Sequence, residues 1–144
     1  MPQSSDHQAA AAAVAELVSE HDKRFSALDF AGVAELWEHD RPQPIYLGDE
    51  YPGPLFGTDE LGRHWARVSS RVKAASVSST VHALDVLDVS DGAVARAVLL
   101  SRWRLTVRES DTERSGASWI TWLLIRRAPG YRICHHMEAQ VYLP

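Results

Sequence analysis

Two periodicities divide this chain. Up to about Ala75, apolar residues recur at intervals of three and four, the spacing that lines one face of a helix; beyond it they alternate, the spacing of a half-buried strand. A first helix is expected from Ser4. Ser5 and Gln8 have capping-box spacing, Ala9 to Ala13 is a run of the best helix former, and Val14, Leu17, His21, Phe25 and Leu28 make one apolar face. Asp29 caps a shorter helix, Phe30 to Glu38, with Phe30, Val33, Leu36 and Trp37 inward; Pro42 and Pro44 then stop helical structure. A short strand, Pro44 to Gly48, doubles back through the turn-rich Asp49 to Pro54 into Leu55 and Phe56. Thr58 is expected to cap a third helix, striped by Leu61, Trp65, Val68 and Val72, with Asp59 and Glu60 placed where the helix dipole favours negative charge. Extended runs follow near 77–89, 94–108, 117–127 and 131–142, separated by Asp91-Gly92, by Ser110 to Gly116 and by Pro129-Gly130. Three helices followed by long consecutive antiparallel strands make an α+β arrangement, with helices on one face of a curved sheet. The expected organisation is one domain over 1–144, with 1–6 a flexible tail.

Composition narrows the function. Fifteen Lys and Arg against nineteen Asp and Glu leave a net charge of -4, so no basic face is expected for nucleic acid. Cys134 is the one cysteine, which excludes an intrachain disulfide framework and points to a reducing, cytoplasmic setting. The N-terminus lacks the charged start of a secretory signal, and no apolar run reaches membrane-spanning length. No Gly-x-Gly-x-x-Gly run, phosphate-binding loop or serine nucleophile elbow occurs, so no cofactor is expected.

Strand alternation assigns faces. In the last strand Tyr131, Ile133, His135, Met137, Ala139 and Val141 form the more apolar set, expected to face the helices, with Arg132, Cys134, His136, Glu138 and Gln140 opposite. A β-bulge would exchange His135 for His136. In the 94–108 strand, Ala95, Ala97, Leu99, Ser101, Trp103 and Leu105 face inward and Arg96, Arg102, Arg104 and Arg108 outward. No metal is expected: His135 and His136 point to opposite faces, and Cys134, His136 and Glu138 lie along one straight strand, which rarely converges enough ligands alone.

Three segments carry a resemblance: "SALDFAGVAELWEHD", "GPLFGTDELGRHWARV", and the closing "SWITWLLIRR" with "GYRICHHMEA". In this order, over nearly the whole chain, they resemble the SnoaL-like branch of the nuclear transport factor 2 and ketosteroid isomerase superfamily. The resemblance implies a cone: three N-terminal helices packed on a highly curved, mostly antiparallel sheet enclosing a deep pocket, commonly in a homodimer through the sheet face. It does not imply one activity, since that cone hosts isomerases, cyclases, dehydratases and non-catalytic modules. Counting back from Asp29 puts His21 where the isomerases carry a helix-one tyrosine. Their first-strand aspartate has no counterpart in Ile45-Tyr46-Leu47, so their route is not expected here. By the family pattern Trp119, Thr121 and Leu123 face inward.

The expected site is therefore His21 and His135 as acid and base, with Tyr46, Trp103, Trp119, Thr121 and Met137 around the ligand and His64 and Trp65 at the mouth. Imidazoles titrate near neutral pH, and aromatic walls with a few polar groups suit a small hydrophobic, cyclic metabolite. The alternative is a non-catalytic binding or dimerisation module whose cavity is filled by side chains such as Trp103, Trp119 and Trp122.

Overall fold

The computed structural model describes residues 5–141. Residues 1–4 and 142–144, and with them the expected helix start at Ser4, most of the expected tail and the last residue of the final run, lie outside the described residues. Ser5 and Asp6 belong to the first turn of helix α1, Ser5–Ser26. The helix turns Ala10, Val14, Leu17 and Val18 inward against the sheet. It ends where Leu28 takes a left-handed backbone (φ 61°), which brings the Asp29 N–H to the Arg24 carbonyl at 2.9 Å.

Asp29 then caps α2 by accepting the Gly32 N–H at 2.9 Å. Helix α2, Phe30–Glu35, is shorter than expected because its end is captured by the sheet. Trp37 forms a parallel bridge to Ile133, whose N–H donates to the Leu36 carbonyl and whose carbonyl accepts from Glu38. Strands β1, Ile45–Leu47, and β2, Leu55–Phe56, form the expected hairpin. Helix α3, Gly57–Arg71, starts without a Thr58 side-chain cap; Glu60 instead reaches back to the Phe56 N–H at 2.7 Å.

No loop separates α3 from β3, Val72–Val86, which is followed by β4, Val94–Val107, β5, Glu113–Arg127, and β6, Gly130–Gln140. Sheet order is β2-β1-β6-β5-β4-β3, antiparallel except for the β1–β6 pair. The sheet is thus the curved, mostly antiparallel one expected, with α1 laid along β3. Curvature comes with bulges, and one of them decides the site. β5 pairs Leu124 with Ile133 and Leu123 with His135, leaving Cys134 as the extra residue.

Candidate functional site

Inward positions of the sheet form cross-strand rows. Ala95, Leu124 and Ile133 make the deepest, then Ala97, Trp122 and His136, then Leu99, Ile120 and Glu138, then Ser101, Ser118 and Gln140, with Trp103, Leu105 and Arg114 toward the open end. The first rows are buried core, and farther out the concave face lines a cavity of about 660 Å³ roofed by α1, α3 and the β1–β2 turn. Trp103 lies on the wall of this cavity, Trp122 is buried behind it and Trp119 stands on the opposite face of the sheet.

Polar groups on the wall are wired to one another. The Trp122 indole N–H donates to His136 Nδ1 at 3.0 Å, which leaves the ring proton on Nε2, 3.0 Å from Glu138 Oε1. Trp103 Nε1 donates to Ser118 Oγ at 3.1 Å, and the Ser118 hydroxyl is hydrogen-bonded to Glu138. Trp103 reaches Ser118 by lying across Gly116, where a Cβ would sit 2.8 Å from the indole. Burial alone would raise the Glu138 carboxyl, but the hydrogen bonds from His136 and Ser118 and the nearby imidazoles hold it below the usual carboxylate range.

A second set faces this one. The Tyr46 ring stacks on His136 at 4.7 Å, and its hydroxyl donates to Glu50 Oε1 at 2.6 Å. Burial, then the Glu50 and Glu138 charges, push its phenol well above the ordinary value, so it keeps its proton. Tyr51 Oη lies 2.7 Å from His64 Nδ1. Burial, with the charges of His136 and Arg67 adding to it, depresses His64 from 6.5 to about 4. On α1, His21 meets Trp122 edge-on at 5.1 Å, with Asp22 Oδ1 3.5 Å from its Nδ1. Asp22 is itself anchored by the Ser79 N–H and hydroxyl at 2.7 and 2.9 Å.

Of the residues expected from sequence, His21, Tyr46, His64, Trp65 and Trp103 line the cavity. His135, Met137, Trp119 and Thr121 do not: the Cys134 bulge turns His135 and Met137 outward, and Ser118, Ile120 and Trp122 take the inward positions of β5. Leu123 likewise faces away. Trp119, 40% exposed, meets His82 edge-on at 4.8 Å on the outer face. His136 and Glu138, assigned above to the outer face, are the inward pair. The sequence did carry a sign of this, since Ile133 and Cys134 are adjacent apolar residues in a strand that otherwise alternates. Glu50 and Tyr51 were legible only as turn residues. Among the described residues no three His, Cys, Asp or Glu side chains converge as a metal site, and no helix is long and apolar enough to cross a membrane.

No family model and no curated protein matches the chain. Solved structures do match. They include a ketosteroid isomerase-like protein from Erwinia carotovora atroseptica (16% identity, TM-score 0.75, covering 92% of this chain and 96% of that one). A candidate dehydratase of the NTF2-like family from Streptomyces avermitilis matches at 15% identity and TM-score 0.78, over 93% and 98% of the two chains. The hexachlorocyclohexane dehydrochlorinase LinA-type3 from Novosphingobium barchaimii matches at 15% identity and TM-score 0.75, over 96% and 91%. At such identities the likeness is one of fold: this chain has the NTF2-like, ketosteroid isomerase-like cone.

Proposed function

We propose that this NTF2-like cone, as one domain in the cytoplasm, binds a small hydrophobic, cyclic metabolite and moves a proton on it without a cofactor, in a reaction of the isomerase, cyclase or dehydratase type. One observation carries the reading: an open cavity of about 660 Å³ holds a hydrogen-bonded carboxylate, Glu138, on an otherwise largely aromatic and aliphatic wall. A carboxylate held there in one orientation is placed to accept a proton from a bound carbon or hydroxyl. His21, lining the same cavity, is the second proton-transfer group. His136 has both ring nitrogens engaged and therefore acts through Glu138 as a positioning residue. Tyr46, Trp65 and Trp103 hold the ring system, and His64, neutral at physiological pH, keeps the Tyr51 side of the mouth in place.

The reading includes a homodimer through the outer sheet face. Trp119 and Met137, 40% and 48% exposed, stand there on adjacent strands with Thr121 between them. Native mass spectrometry of protein purified from its own host tests the whole reading. The expected species is a dimer carrying a small apolar compound, its binding weakened in Ile120→Trp, which puts a larger side chain on the inner wall beside Glu138. Turnover of that compound is expected to fall by roughly a hundredfold or more in Glu138→Gln, the usual scale for a lost general base. Unchanged turnover in both Glu138→Gln and His21→Ala would remove the proton-transfer assignment.

A further inference from the structure

Three arginines line the cavity without a carboxylate partner. Arg67 and Arg71, one turn apart on α3, line it from one side, and Arg114, at an inward position of β5 opposite Leu105, lines it from the sheet. None of the three forms an ion pair with a described residue. Four carboxylates line the same cavity, and none of them forms an ion pair with these arginines. Glu138 is committed to His136 and Ser118, Glu50 accepts the Tyr46 hydroxyl, and Asp49 and Glu109 stand exposed at the rim without pairing to them. Arg67 is half occupied, its guanidinium lying over the Tyr51 ring at 5.1 Å. Arg71 and Arg114 keep their donors for another partner. On the outer face, by contrast, Arg96 meets Asp85 at 3.2 Å and Arg104 meets Glu113 at 3.0 Å, while Arg102 and Arg132 form no ion pair with a described residue.

We infer that the ligand of this cavity is a cyclic carboxylic acid, its ring against Trp103, Trp65 and Phe25 and its carboxylate held at the mouth by Arg71 and Arg114, with Arg67 alongside. The inference rests on reading the cavity as a small-molecule site and adds the charge of what enters it. Guanidinium groups bind a carboxylate through paired N–H donors, and at the rim they do so without the desolvation cost of a buried charge. The carboxylate at the mouth also keeps the ring, and not the acid group, beside Glu138.

Calorimetric titration of the intact protein with naphthoate and with its uncharged carbinol, naphthalenemethanol, tests this. Naphthoate is expected to bind roughly tenfold tighter at low salt, with the preference shrinking as salt rises. The double variant Arg71→Gln/Arg114→Gln, at exposed positions that leave the core untouched, is expected to abolish the preference while carbinol affinity stays the same. Equal affinities in the unaltered protein, or a preference that survives the double variant, overturn the assignment; in that case the cavity reading still stands if the two probes compete for one site. If neither probe binds, both readings fall together.

Discussion

His64 shows what burial does to one titratable side chain. It has almost no exposed surface, sits against the Tyr46 and Trp65 rings, and gives up its proton at about 4 in place of 6.5. The unfolded chain therefore binds more protons than the folded one between those two values. Stability from this residue is complete above pH 6.5, is lost as pH falls through the window, and stops changing below about 4. The full loss amounts to about 3 kcal/mol. Urea titrations across the window should show this acid sensitivity, and His64→Gln should flatten it while lowering stability at neutral pH; an unchanged pH profile in the variant would assign the sensitivity elsewhere. Cys134 is affected in the same direction of reasoning: burial, and the Glu38 charge after it, push its thiol up to about 11, leaving it a packing residue and not a nucleophile.

At the scale of the element, β6 is the decisive strand. Its first half keeps Tyr131 and Ile133 inward, its second half keeps His136 and Glu138 inward, and Cys134 absorbs the change of parity. Ile133 is held from both sides, by Leu124 across the sheet and by Leu36 and Glu38 at the end of α2, so the strand cannot slide to relieve the extra residue. Deleting Cys134 would remove the extra residue and restore simple alternation, with Leu123 still opposite His135 and Trp122 still opposite His136, so that His136 and Glu138 stay inward. The expected outcome is retained cavity binding, because the hydrogen bonds of His136 to Trp122 and Glu138 lie beyond the deleted residue and survive it. Cys134→Ala keeps the residue count and should retain both the register and the binding. Loss of binding in the deletion but not in Cys134→Ala would show that parity alone does not place His136 and Glu138.

For the whole molecule, the cone has two unlike faces. The concave one is roofed by helices and holds the cavity, and the convex one carries Trp119 and Met137 on display. Sedimentation of the intact protein is expected to give a dimer, and Trp119→Arg a monomer that keeps its fold and its cavity. Exposed apolar side chains of this size on adjacent strands lose surface to water only by covering one another across an interface. A dimer that persists in Trp119→Arg would place the contact on another face.

The order of elements was legible in the sequence by itself, because the change from a three-and-four spacing to an alternating one is written in local residue choice. The inward face of β4 was legible too, since Ala95, Ala97, Leu99 and Ser101 share one parity and Arg96, Arg102 and Arg104 the other. His21, Tyr46 and Trp103 followed from those patterns and from the resemblance. What only the tertiary structure decided was parity in the last two strands. β5 is apolar on both faces, so its pattern carries no direction, and the β6 bulge arises from contacts with α2 that lie nearly a hundred residues away in the chain. A period-two pattern reports on neighbours, and one extra residue inverts every assignment beyond it. Which of two adjacent histidines enters the cavity was therefore settled by packing between distant elements.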